Sequence, residues 1–394
     1  MTAIAHAGTG AAAEPRPTSN ATAAMRERVA DAIQRGVGLR IIGAGTWLGA
    51  GRPVHASESL TTSDDAGITE YVPGDLTLTA RAGTSLGEIR DATTAHGQWL
   101  ALDPFGSDEG TLGATVATGS AGPLRTFFGS PRDLLLGVEF VTGAGVVARG
   151  GGRVVKNVAG FDLSRLFAGS WGTLGVITEV TLRLHARPEA DESIAIAIDA
   201  ATGPGRVREL LRRLPFVPYA CEIANEPLAR LIGCGDTVTA LFRMGGNAEA
   251  VRAQRAALAE LGSAREVNAS VWQHLRAAEP EEAIVFRLSR LPIEIDATWA
   301  DAAAIAASCS GTLVHAAPSR GVVRCIIPAE PTTDTTLAAA FGATSNATRI
   351  GERLPAELWE LCSKTPVADR LSAGIKKTFD PHSILNYGIL GEIV

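Results

Sequence analysis

Gly43, Ala44, Gly45 and Thr46 follow the apolar run LRII directly. A glycine-interrupted turn at the end of a strand can aim consecutive backbone N–H groups at a diphosphate. Gly49 adds a third glycine and gives the segment the look of a dinucleotide fingerprint. That fingerprint needs a helix next, with its N-terminus on the pyrophosphate, and Gly49, Gly51 and Pro53 would break one. The anion-binding turn survives this test and the Rossmann reading does not. Acid–base and metal chemistry have thinner support. The seven histidines are scattered, with no pair at ligand spacing. His315 (in HAAPSRGVVR) and His382 (in FDPHSILNYG) are candidate bases, although an isolated histidine is more often a hydrogen-bonded structural residue. Arg243, Arg287, Arg320 and Arg324 are candidates to grip a carboxylate bidentately, a role that competes with ordinary salt bridges. The five cysteines lie far apart, none in a CxxC run, which argues against a zinc or iron–sulfur site and fits buried thiols in a reducing compartment.

The surrounding pattern sets the elements that must position these groups. Helical spacing runs from near Met25 to Gly36, and LRIIGAG is a short strand entering the turn. LTLTARAG alternates as a strand, and SLGEIRDATTAHG has helical periodicity up to Gly97. Residues 110–122 read as a second glycine-rich loop and 133–149 as a hairpin over TGAG. Residues 150–184 pack Gly160, Gly169, Gly172 and Gly175 around short apolar runs before ITEVTLRL alternates as a half-buried strand. ARPEADE at 186–192 marks a boundary. Strands and helices then alternate through ESIAIAIDA, GPGRVRELLRRL, VTALFRMGG and NAEAVRAQRAALAELG, with Asn247 placed as a helix cap. EAIVFRLSRLPIEI and GVVRCIIPA are further strands around an alanine-rich helix near 298–308. The final stretch reads as one or two helices ending at Asp380–Pro381. Strands and helices are mixed without steady β-α-β alternation, so the fold class is α+β.

Three glycine-rich segments carry a resemblance. KNVAGFDLSRLFAGSWGTLGVITE is similar, nearly residue for residue, to the third flavin-contacting segment of FAD-linked oxidases with the vanillyl-alcohol-oxidase type of fold. Within them it most resembles the FAD-binding subunits of glycolate oxidases, with Phe161 in place of a tyrosine. GTLGATVATGSAGPLRTFFGSPRDLLLG (110–137) resembles the family's TLGG–A–GPxR–GxxRD run, and FDPHSILNYG its FDPxxILNPG closing segment, Tyr387 departing from proline. The resemblance implies a PCMH-type two-lobed FAD-binding domain at 25–188 after a disordered tail at 1–24. A smaller cap domain of antiparallel sheet and helices would follow at 189–350, with a helical segment at 351–394 returning to the flavin. It implies diphosphate and ribityl contacts at Thr111, Leu112, Gly113, Ala114, Thr118 and Gly119, with Gly122 lining the same groove. Val176 and Ile177 would reach the flavin or adenine portion, and Asn386 the ring face. Some relatives tether FAD through a histidine just after the first turn. Thr46 stands there, so the resemblance implies non-covalent FAD.

The same resemblance implies oxidation of a small 2-hydroxy acid, which needs a hydride acceptor, a base and a cation for the carboxylate. The metal-binding His-x-Gly-Asp-x-Asn-x-His motif of the related catalytic dehydrogenases is missing, and no metal site is expected. The family pattern therefore implies a homologous catalytic flavoprotein subunit and an iron–sulfur subunit as partners. Two alternatives stand beside it: a stand-alone flavin enzyme for another small hydroxy acid or alcohol, and a flavin-binding subunit without turnover. At 394 residues and 46% hydrophobic content the chain can form two cored domains. Its net charge of −6 argues against a nucleic-acid partner. No apolar run approaches a membrane span, and the N-terminus has no basic segment leading into an apolar core. The expectation is a cytoplasmic protein that meets a membrane only through partner subunits.

Overall fold

The computed structural model describes residues 18–152, 162–199, 203–329, 338–339, 347–362 and 369–391. The expected tail up to residue 17 and the KNVAGF portion of the third glycine segment lie outside them. The first helix, Asn20–Arg35, begins earlier than the periodicity from Met25 indicates, because the Ser19 hydroxyl accepts the amide of Thr22 as an N-cap. It ends where Gly36 turns left-handed at φ 64°. Thus 20–24 belong to a helix rather than to a disordered tail.

Strands β1 (Leu39–Ile42) and β2 (Glu58–Thr61) pair in parallel. Leu385 bridges to Leu39 on the free side of β1, so the C-terminal segment closes this small sheet. Beside it lies a five-stranded antiparallel sheet. Its order is β3 (Ile68–Val72), β4 (Thr77–Arg81), β8 (Gly175–Arg183), β6 (Leu135–Thr142) and β7 (Val147–Gly151). Its core holds Leu78, Phe140, Val180 and Leu182, with Phe167 stacked on Phe140 at 3.8 Å between ring centres. The short pair β5 (Gln98–Trp99) and β9 (His185–Ala186) leads out toward the second lobe.

The second lobe is one eight-stranded sheet. Its order is β13 (Ala264–Glu266), β10 (Ala190–Ala197), β12 (Thr239–Gly246), β11 (Ala220–Ala224), β15 (Leu313–Ala317), β16 (Val322–Ile327), β14 (Ile284–Ser289) and β17 (Thr348–Arg353). Helices Gly203–Arg213, Ala248–Leu258 and Ile295–Ser308 cover one face through Val207, Val251, Trp299 and their neighbours. Period-2 alternation puts the charged residues on the other face. In register, Arg243 faces Ala220, Glu222 lies two residues on, Ala224 faces His315, His315 faces Arg324, and Arg324 faces Arg287. This row looks toward the first lobe, where Arg243 stacks over Trp99 and Arg324 over Phe105.

Two readings of the sequence need correction. Residues 112–118 form a helix rather than an extended glycine loop. Thr111 caps it, and Gly113 is admitted because its missing side chain lets the helix press on Ala82. β17 also runs across the boundary expected at 350. It is a partly exposed edge strand, and TRIGER lacks the apolar alternation that would have announced it. All five cysteines are free and buried.

Candidate functional site: a glycine-walled cleft and the charged row beyond it

An open cleft of about 1050 Å³ runs between the 43–48 turn, the helix Leu112–Thr118, the Trp171–Gly172 turn and the C-terminal segment. The amides of Gly43, Ala44, Gly45 and Thr46 find no acceptor among the described residues, and Gly45 sits left-handed at φ 76°. Four free N–H groups in succession form a concavity for an anion. Among the described residues the cleft wall carries no carboxylate, and Arg40 is its one basic side chain. Trp47 and Trp171 stack at 6.0 Å over one end, and Ile42, Ile177 and Ile389 supply an apolar wall. A dinucleotide with a charged middle and flat apolar ends fits these surfaces. No His, Cys or Tyr of the described residues lines the cleft, so the wall offers no side chain of the usual kinds for a covalent tether.

Asn386 fixes the geometry. Its Oδ1 accepts the Ile41 amide at 2.7 Å and its Nδ2 donates to the Trp171 carbonyl at 2.7 Å. Gly172 is needed because a Cβ there would lie 2.7 Å from the Asn386 amide nitrogen. Gly43, Ala44, Gly45, Thr46, Thr111, Gly113, Ala114, Thr118, Ile177 and Asn386 all line the cleft. Four others stand off its wall. Leu112 is fully buried against the five-stranded sheet, and Val176 is buried against the first helix on the far side of β8. Gly119 ends its helix at φ 64° facing Gly169, and Gly122 presses on the Asp103 carbonyl.

The family described as an FAD binding domain matches residues 16–151. Glycolate oxidase subunit GlcE of Escherichia coli (strain K12) is 37% identical over 282 residues, 71% of this chain and 75% of the relative. The chain belongs to the FAD-linked oxidase family. It binds FAD and is an FAD-dependent oxidoreductase with a PCMH-type fold. Glycolate oxidase subunit GlcD of Bacillus subtilis (strain 168) is 29% identical over 165 residues, 42% of this chain and 35% of that one. A solved structure of alkyldihydroxyacetonephosphate synthase matches with a TM-score of 0.66 at 16% identity, covering 94% of this chain and 74% of its own. That likeness concerns the fold alone.

Past the FAD cleft, Phe105 separates the cleft from the charged row. Its ring lies 5.5 Å from that of His315 and 4.1 Å from the Arg324 guanidinium. His315 Nδ1 and Glu222 Oε2 are 2.9 Å apart, both side chains buried, and His315 Nε2 has no partner among the described residues. A carboxylate on Nδ1 orients an imidazole and leaves Nε2 for other work. Arg324 is occupied: it is 2% exposed and pairs with Glu279 at 2.6 Å and Glu352 at 2.7 Å. Burial pushes the Glu352 carboxyl up, but Arg324 and Arg287 outweigh it and hold the group below its ordinary range. Arg243 is bidentate to Asp191. Arg320 is half-buried with no acidic partner among the described residues, and burial, then repulsion from Arg125, pushes it down to about 10. His382 lies exposed on the turn after the helix Arg370–Phe379, away from the cleft lining, so it is no base for this site.

Three groups escaped the sequence reading. Asp103 is buried with Oδ1 unpartnered, and burial pushes its carboxyl up to about 7 against the Leu124 amide and the charges of Arg276 and Arg243. Arg125 and Phe105 also went unmarked. Only the GPLR run was visible, as part of the resemblance, and its spacing does not connect to His315. Among the described residues no three His, Cys, Asp or Glu side chains are grouped to hold a metal, and no helix is long and apolar enough to cross a membrane.

Proposed function

We propose that this chain is the FAD-binding subunit of a glycolate oxidase complex, oxidising a small 2-hydroxy acid at its CH–OH group and passing electrons to an iron–sulfur partner subunit. The observation that supports this reading most is the 282-residue similarity to GlcE, which is too long to be confined to the FAD domain. Glycolate oxidase subunit GlcD and yeast D-lactate dehydrogenase [cytochrome] 1, 25% identical over 181 residues, carry names of the same hydroxy-acid chemistry.

In this reading FAD is dissociable, its diphosphate held by the amides of 43–46 and by the helix capped at Thr111. Bound FAD supplies a hydride acceptor. The protein supplies the rest. Phe105 and the paired tryptophans exclude water from the inner cleft, and His315 Nε2, oriented by Glu222, takes the hydroxyl proton. The iron–sulfur partner and the homologous flavoprotein subunit complete the complex.

The Glu222–His315 pair also favours a second reading, turnover by this chain without the other flavoprotein. An anaerobic visible spectrum of the purified chain before and after glycolate separates the two. A flavin band that bleaches establishes substrate oxidation here. A band that persists, in a chain that co-purifies with an iron–sulfur protein, means that turnover here needs the assembled complex. A chain that binds no flavin overturns both.

A further inference from the structure

We propose that Arg125, from the FAD lobe, and Arg320, from the sheet lobe, together form a carboxylate-binding site that fastens the two lobes when a small 2-hydroxy acid is bound. The inference rests on the hydroxy-acid reading above and assigns the substrate's anionic end to two residues.

Arg125 opens the short helix Arg125–Phe128, which packs on β11 through Phe127 and Phe128 against Tyr219 at 4.8 and 4.9 Å. β11 pairs with β15, and β15 runs straight into the single helical turn Pro318–Arg320. The two arginines thus approach from opposite lobes. Neither has a hydrogen-bonded or salt-bridged acid among the described residues, and Arg125 is the strongest charged neighbour of Arg320. Like charges left together away from bulk water destabilise the empty protein, so an anion between them is favoured.

The nearby acids do not serve as that anion. Glu222 Oε2 is taken up by His315, and Asp103 Oδ2 accepts the Leu124 amide at 3.0 Å. Asp133 caps the helix after Ser130, and Glu352 is engaged by Arg324 and Arg287. Among the buried polar atoms without a partner in this neighbourhood are His315 Nε2 and Asp103 Oδ1, on side chains 4% and 8% exposed. Asp103 is wrapped by the loop that ends in Arg125, since Leu124 donates to it and Gly122 abuts it. Unpaired cations with unpaired donor and acceptor atoms beside them match a ligand carrying both a carboxylate and a hydroxyl. The site suits one small carboxylate, because the remaining charges of the row are already paired.

The test uses the FAD-loaded full chain and oxalate, which has the carboxylate but no oxidisable C–H. Binding is read by the flavin difference spectrum and by thermal shift. Oxalate should raise the unfolding temperature, and Arg125→Gln and Arg320→Gln should each weaken its binding about tenfold or more. Both variants should keep full flavin content and lose no stability without oxalate, because each relieves the repulsion. Arg125→Lys should recover part of the affinity. Unchanged oxalate affinity in both Gln variants overturns the proposal, as does loss of stability without oxalate. A wild-type chain that holds FAD yet oxidises no hydroxy acid in any complex, while oxalate still binds through these arginines, overturns the parent reading alone.

Discussion

Asn386 and Ile41 lie 345 positions apart in sequence, yet the Asn386 side chain supplies the acceptor that β1 would otherwise lack at Ile41, 2.7 Å from its amide. The same side chain donates to Trp171, so the turn that presents free amides is tied to the far wall of the cleft. Asn386 also sits left-handed at φ 44°, a conformation that asparagine tolerates better than most residues. Asn386→Asp keeps the shape but turns an acceptor toward the Trp171 carbonyl in a buried site. We expect a loss of about 2–4 kcal/mol in chemical denaturation. FAD should leave faster on dilution. Asn386→Ala should release FAD as readily while costing less, because it buries no charge.

Ala44 is exposed within the run of free amides and makes no packing contact that a larger side chain would break. Ala44→Glu sets a carboxylate where the proposed reading puts the cofactor's diphosphate. Like charges at about 4–6 Å in partly shielded surroundings repel by several kcal/mol, so FAD content after gel filtration should fall at least tenfold. The far-UV spectrum should not change. Gly113 is a poorer probe, although the sequence suggests filling the groove there. A Cβ at 113 would lie 2.6 Å from that of Ala82, so a bulky residue would lift the helix off β4 before it met the cofactor.

Asp103 makes a pH prediction whose sign is the reverse of the usual one for an acid. Its folded carboxyl titrates near 7 against an ordinary 3.8, because burial disfavours the ionised form. Between those values the folded chain holds a proton that the unfolded chain releases. Stability contributed by this group therefore falls as pH rises from about 4 to about 7 and levels off above. Asp103→Asn removes the titration and keeps an acceptor for Leu124. The variant should gain on the wild type as pH rises through that window, by at most about 4 kcal/mol. Parallel stability profiles for the two proteins across pH 4–8 would remove Asp103 from this account.

The cleft wall was legible in the sequence because glycine and threonine at fixed offsets leave few other uses for a turn such as 43–46. Strands β1, β4, β6, β7 and β8 were legible too, whereas the short strands β2, β3, β5 and β9 carry too little alternation to announce themselves. The helix Leu112–Thr118 was hidden by those same glycines, whose low helix propensity is overridden by the close approach to Ala82. The charged row was hidden for a different reason. Glu222, His315, Arg324 and Arg287 come from four strands, and only the pairing register brings them to one face. β11, which carries Glu222, reads as a short apolar run without periodic signal. Arg125 and Asp103 belong to the other lobe, and nothing local in either segment announces His315 or Arg320.

Arg324 and Arg320 are four residues apart and should behave oppositely. Arg324 is wholly buried between Glu279 and Glu352, and Glu279 also accepts from the Trp47 indole at 3.2 Å and pairs with Arg353 at 2.9 Å. Arg324→Met leaves two buried carboxylates short of a cation and loses the stack on Phe105, so it should cost about 3–5 kcal/mol. The damage should reach the cofactor, because Glu279 holds Trp47 and Trp47 caps the cleft. FAD affinity should therefore fall along with stability. Arg320→Gln removes a cation that no acid among the described residues pairs, so stability should move by no more than about 1 kcal/mol. FAD affinity should stay put, since no cleft residue leans on Arg320. Urea denaturation and flavin fluorescence on the two variants read both quantities. A destabilised Arg320→Gln would mean that an acid pairs with this arginine in solution, and a stable Arg324→Met would mean that the buried pairs add nothing over an apolar replacement.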